Sequence, residues 1–255
     1  MLKETLTEEN RMTLLKQALI SLALIFSPLL KADVLTLTSL EWPPYSSPQL
    51  KQKGASIAVV SAALKEMGHE LKVEFYPWER AVHLAKNDAR YAGYFPEYLF
   101  ESSDLLFSDS IGLGPLGFAE NKAKPVQWSA LADLKSYTIG VVRGYVNTDE
   151  LDQMIANGTL KSEAVNSDSQ NLTKLGHKRI PLAVIDSNVF QYLLDNTPAL
   201  QPFKADLQMN PKLLVEKSLH VAFTNNQDGQ RWQEILNQGL KRIDVDKIMA
   251  DYLAK

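Results

Sequence analysis

Two stretches in the second half of the chain pass from an apolar strand through a polar turn straight into a helix. That pattern points to an α/β fold. Tyr137-Thr-Ile-Gly-Val-Val142 runs as a strand into Arg143-Gly-Tyr-Val-Asn-Thr148, and a helix follows from Asp149. Ile180-Pro-Leu-Ala-Val-Ile-Asp186 is a second strand, again followed at once by a helix. The first N–H groups of a helix are unpaired and carry partial positive charge, so Gly144, Tyr145, Val146 and Asn147 form a candidate cradle for an anion. Asp186 ends its strand on the side where open α/β sheets bind ligands. Together they suit a small molecule carrying both an acidic and an amino group. The plainer readings are a helix N-cap for Asp186 and an ordinary tight turn, capped by Asn147 or Thr148, for the cradle.

The first half repeats the same alternation. Val34 to Ser39 alternates as a strand, and Glu41-Trp-Pro-Pro-Tyr-Ser46 is a loop because two prolines cannot continue a ladder. Ile57, Val60, Leu64 and Met67 recur at helical spacing before Gly68, which predicts a helix over 54–67. Leu71 to Phe75 is a second strand, Trp78 to Asn87 a helix behind Pro77, and Tyr91 to Phe95 a short strand. This β-loop-α-β-α-β order implies right-handed crossovers and a parallel sheet. Leu105 to Ser108 and Ile111 to Phe118 follow as extended chain, and the polar stretch Lys122 to Gln127 marks a boundary. A second unit from about Trp128 to about Met209 repeats the β-α-β-α logic, with helices over 148–157, 168–175 and 187–194. A strand from Ser218 to Thr224 and helices over 228–240 and 245–253 close the chain.

At 255 residues the chain is long enough for one large or two small α/β domains. The net charge of −3, with no basic block, argues against nucleic acid as partner. The absence of cysteine excludes disulfides, thiolate catalysis and cysteine metal sites. The four histidines are scattered, no Gly-x-Ser-x-Gly, P-loop or dinucleotide fingerprint occurs, and no cofactor or metal is expected. Lys16, the apolar run from Ala18 to Leu30 and the small Ala32 make residues 1–32 a candidate cleaved signal peptide, with Met12 as a possible start and an uncleaved anchor as the alternative. Export would leave a chain beginning near Asp33.

In order and spacing, several segments resemble the family 3 extracellular solute-binding proteins, the periplasmic receptors of ABC importers. They are Glu41-Trp-Pro-Pro-Tyr-Ser46, Pro77-Trp-Glu-Arg-Ala81, Phe107-Ser-Asp-Ser-Ile111, Ile139-Gly-Val-Val-Arg-Gly144, Leu175-Gly-His-Lys-Arg-Ile180 and Ala183-Val-Ile-Asp186. The resemblance implies a two-lobe, type II periplasmic binding protein fold, each lobe a mainly parallel sheet flanked by helices, with two crossover strands. It places lobe 1 at 33–117 and 216–255 and lobe 2 at 118–215. It implies a monomeric, non-enzymatic receptor that captures an amino-acid-like or amine-bearing solute and docks on a membrane permease.

For the site, the resemblance implies that Trp42 packs on the ligand, that Gly144, Tyr145, Val146 and Asn147 face its carboxylate, and that Asp186 takes its amino group. One departure stands out. Amino-acid-binding members carry an arginine a few residues before the Phe-Ser-Asp signature, and here that place falls on Glu101 or, with an insertion, on Tyr98. Either Arg80 or Arg143 replaces it, or Glu97 joins Asp186 around a cationic solute. Tyr45, Trp78, Tyr94 and Phe95 complete the candidate site, as aromatic residues at strand ends and a helix start. The rival functions are a solute-sensing module for a signalling partner and a dehydratase-like enzyme using Glu97 or Asp186 as acid or base.

Overall fold

A computed structural model describes residues 32–253. The run expected to act as an export signal lies outside them. Strand β1 (Val34–Ser39) pairs in parallel with β2 (Glu70–Phe75) on one side and with β3 (Gly93–Tyr98) on the other. The crossovers carry helices α1 (Ala55–Glu66) and α2 (Trp78–Asn87). The apolar face inferred for α1 is real: Ile57, Val60 and Leu64 are buried. Each such side chain contributes about 1.5–3 kcal/mol when taken from water.

The second lobe has the same logic. Strand β6 (Thr138–Val142) lies parallel to β7 (Lys161–Val165) and to β8 (Leu182–Asp186). Helices α3 (Asp149–Ala156), α4 (Asp168–Gly176) and α5 (Ser187–Asn196) start at the ends of these strands. All three starts therefore face the first lobe from the carboxyl edge of the sheet, where ligands bind in this architecture.

Two long strands join the lobes. The first part of β5 (Gly112–Asn121) pairs antiparallel with β10 (Val215–Thr224) over Gly112 to Leu116, and the rest pairs with β8 over Leu116 to Glu120. Strand β10 continues into the first lobe to pair with β3 and with β4 (Leu105–Phe107), while β9 (Leu207–Met209) pairs with the far end of β5. The strand order is β2-β1-β3-β10-β5-β8-β6-β7. The final helices, α6 (Gln227–Leu240) and α7 (Val245–Leu253), pack on α1.

Two strands differ from the sequence-based expectation. Strand β3 runs on to Tyr98 instead of stopping at Phe95, because its register with β10 shifts between His220 and Ala222 and so accommodates Pro96, which has no N–H to give the ladder. Strand β10 begins at Val215 rather than Ser218, and the extra residues pair with β5. Both extensions carry cleft residues.

Candidate functional site

The cleft is built from strand ends and helix starts. On the first-lobe side, the turn after β1 is fixed by a Trp42 N–H bond to the Ser46 carbonyl (2.6 Å), and it stacks the Trp42 and Tyr45 rings with centroids 4.7 Å apart. Trp78 opens α2, and β3 brings Tyr94, Glu97 and Tyr98 to the same place. On the second-lobe side stand Tyr145 and Val146 in the β6–α3 turn, Asp168 at the start of α4 and Asp186 at the end of β8.

The lobes are closed on each other. The Trp78 indole donates to the Gly144 carbonyl (2.9 Å), and the Tyr45 hydroxyl donates to Asp186 (3.1 Å) while accepting from the Asn188 amide (2.8 Å). Lys217, on β10, donates to the Asn147 carbonyl and lies 5.0 Å from the Tyr98 ring centroid. Between these contacts remains a cavity of about 30 Å³ lined mainly by Leu40, Trp42, Trp78, Glu97, Tyr98 and Tyr145. That volume holds about two waters, so a solute must part the lobes to enter.

Three carboxyl groups are buried here: Glu97, Asp168 and Asp186 are 6, 5 and 1% exposed. Burial lifts Asp186 to about 7, against the N–H bonds from Val189 and Asn188 that favour its charged form. Burial, and then the neighbouring Asp186, lifts Asp168 to about 7. Glu97 is pushed up to about 8 by burial, which outweighs the Tyr98 N–H bond and the nearby Lys217 ammonium. Burial also raises the hydroxyls of Tyr45, Tyr98 and Tyr145, which stay protonated and donate. Of the three acids Lys217 is near Glu97, and its own charged form is disfavoured by desolvation. The cleft therefore gathers three carboxyl groups that burial holds toward their neutral forms, and no arginine lines its cavity.

The structure brings Trp42, Tyr45, Trp78, Tyr94, Glu97, Tyr145, Val146 and Asp186 together, and Gly144 joins them through its carbonyl. The N-cap expected as the plainer reading of Asp186 is present: its Oδ1 caps α5 through Asn188 and Val189, while Oδ2 faces the tyrosines. Arg80 lies elsewhere, exposed, with its guanidinium 5.1 Å from the Tyr76 ring centroid. Arg143 is exposed as well. Phe95 is fully buried core, its carbonyl accepting from Ser39.

Of the cradle's donors, those of Tyr145 and Asn147 are engaged by the chain itself. The Asn147 N–H and side-chain amide both bond Asp152 (2.8 and 2.7 Å), and the Tyr145 N–H bonds the Val142 carbonyl. The carboxylate at this helix start is the protein's own. Tyr98, one of the two places where the resemblance puts an arginine, places an aromatic ring in the cleft instead. Sequence reasoning did not single out Asp168 or Lys217. Asp168 had a usable signal, since it starts a helix directly after β7 as Asp149 and Ser187 do after their strands. Among the described residues no cluster of side chains suited to a metal occurs.

No protein-family model and no curated protein matches this sequence. Solved structures do match across the chain. An amino acid ABC transporter substrate-binding protein from Streptococcus pneumoniae, bound to L-arginine, superposes with a TM-score of 0.69 at 14% identity, covering 87% of this chain and 94% of that one. The GluR0 ligand-binding core from Nostoc punctiforme, in complex with L-glutamate, gives 0.68 at 16% identity, over 86% and 96% of the two chains. A histidine kinase sensor domain with similarity to periplasmic binding proteins gives 0.71 at 14% identity, over 88% and 93%. These are binding proteins and a sensor domain rather than enzymes. The topology and these likenesses agree: the chain has the two-lobe fold of the type II periplasmic binding proteins, with β5 and β10 as its crossover strands.

Proposed function

We propose that this chain is a non-enzymatic receptor that captures a small cationic solute between its lobes and delivers it to an ABC importer. The observation that carries the reading is the interface itself: three buried carboxyl groups, Lys217 near one of them, and a ring of aromatic side chains lie between lobes joined by β5 and β10. A cation favours the ionised forms of these acids, and only the closed form contacts it from both sides, so binding favours closure. The engagement of the Tyr145 and Asn147 donors, and a tyrosine at one of the two places where the resemblance puts an arginine, disfavour a ligand that needs its carboxylate held. On this reading the lobes are 33–117 with 216–255, and 118–215, the protein works as a monomer, and residues 1–32 direct its export to the periplasm. N-terminal sequencing of secreted protein tests the last point, since a first residue other than Asp33 or a near neighbour counts against it.

The testing experiment is a thermal-shift screen of amines, amino acids and organic acids. A ligand that binds only the folded state raises the melting temperature by mass action. Stabilisation by cations supports the reading, and stabilisation by organic acids alone overturns it. The likeness to a kinase sensor domain favours a second reading, in which the closed form signals to a partner protein. Uptake of the labelled solute separates the two: deletion of the chain abolishes uptake under the first and leaves it intact under the second.

A further inference from the structure

We infer that the cleft is an aromatic cage for a methylated ammonium cation, such as a quaternary amine, rather than for a primary amine or guanidinium. This inference deepens the receptor reading and rests on it. Four rings line the cavity, each nearly perpendicular to the next. Tyr98 meets Trp42 at 85° with centroids 6.1 Å apart, Trp42 meets Tyr145 at 81° and 6.5 Å, and Tyr145 meets Trp78 at 86° and 5.9 Å. Two rings come from strand β3 and the β1 loop, one from α2 and one from the second lobe, so all four surround a solute only when the lobes come together, and the present cavity must widen to admit a methylated ammonium.

The polar groups are arranged behind the rings. Tyr98 and Tyr45 donate to Asp186, and Tyr145 and Trp42 to Asp168. Asp168 and Asp186 do not line the cavity; Glu97 is its one lining carboxyl, and one of its oxygens already accepts from the Tyr98 N–H. A primary ammonium brings three N–H donors and a guanidinium five, and most of them would be buried here without acceptors. A quaternary ammonium has none. It is attracted by the negative faces of the rings and by the carboxylates beyond them, without needing direct hydrogen bonds. Hydrogen bonding of each phenol to a carboxylate also enriches the ring facing the cavity. The structure already shows one ring taking a cation, the Lys217 ammonium over Tyr98.

Calorimetric titration of the purified chain tests this with three matched probes: choline, its neutral isostere 3,3-dimethylbutan-1-ol, and ethanolamine. L-Arginine and putrescine serve as further cations. The expected result is choline binding at least tenfold tighter than each of the other four. Tyr145→Phe, which keeps the ring, is expected to retain most of that affinity. Tyr145→Leu, which removes it, is expected to lose at least tenfold, with circular dichroism confirming that both variants fold. Equal binding of choline and its neutral isostere overturns the cage. Preferential binding of arginine, putrescine or ethanolamine overturns it while leaving the receptor reading intact. Binding of no cation at all overturns both.

Discussion

Replacing Asp186 with asparagine removes one buried negative charge while keeping the shape of the side chain. Oδ1 still caps α5 by accepting from Asn188 and Val189, and the tyrosine hydroxyls facing Oδ2 can accept as well as donate. In the folded protein the Asp186 carboxyl is raised from 3.8 to about 7, chiefly by burial. The folded state thus holds this proton more tightly than the unfolded chain does. The resulting stability is complete below the unfolded value and is lost as pH rises towards the folded one. Between pH 5 and the folded value lie about two units, worth roughly 3 kcal/mol at ~1.36 kcal/mol each. This is an upper bound, because parting the lobes lets water reach the carboxylate. Asp186→Asn is therefore expected to melt above the wild type at pH 8, and by clearly more there than at pH 5. For a domain of this size each kcal/mol moves the midpoint by about 2–4 °C. Thermal unfolding followed by circular dichroism at pH 5, 6.5 and 8 measures it. A stability difference between variant and wild type that stays constant across this range would refute the reasoning.

Three further outcomes follow from the same geometry. Trp78→Phe keeps a ring but deletes the bond to the Gly144 carbonyl, so solute affinity is expected to fall by about 1 kcal/mol, several-fold by calorimetry; unchanged affinity would show that this bond does not hold the closed form. Gly144→Ala and Gly158→Ala place alanine at the same left-handed φ of 76°, costing about 1–2 kcal/mol each. Only at Gly144 does the new Cβ meet the first lobe, with Glu79 Cγ at 3.2 Å, so only that variant is expected to weaken ligand binding as well as lower the midpoint, and equal effects on binding would count against lobe contact there. Affinity for a cation is expected to rise from pH 5 to pH 8, because the solute favours the ionised forms of Glu97, Asp168 and Asp186, which titrate near 7 to 8; a flat profile would mean that the acids do not sense the ligand.

Much of the fold is legible in the sequence because its elements bury one face each. The period-two run at β1 and the helical spacing of Ile57, Val60 and Leu64 state their own structure. The elements that escaped are those whose partners lie far along the chain. Pro96 reads as the end of a strand, yet an irregular register with β10 carries the ladder past it to Tyr98. Val215 to Lys217 show too little alternation to be read as strand and are held by pairing with β5. The site divides in the same way. Trp42, Tyr45, Trp78 and Asp186 are legible because strand ends and helix starts converge in this architecture. Arg80 follows Trp78 by two positions, which do not share a helix face, so one facing the cleft leaves the other outside it. Lys217 belongs to the cleft only because β10 crosses between the lobes, and the occupation of the Asn147 donors by Asp152 is a matter of side-chain geometry that residue type does not announce.

The central claim is that closure around a positive charge relieves the buried acids of this cleft. Its most direct test is a calorimetric titration at pH 8 comparing small cations that lack a carboxylate with organic acids and neutral solutes of matched size. The account expects saturable binding for the cations alone, weakened at pH 5. Saturable binding of an acid or neutral solute, with none for any cation, would contradict it.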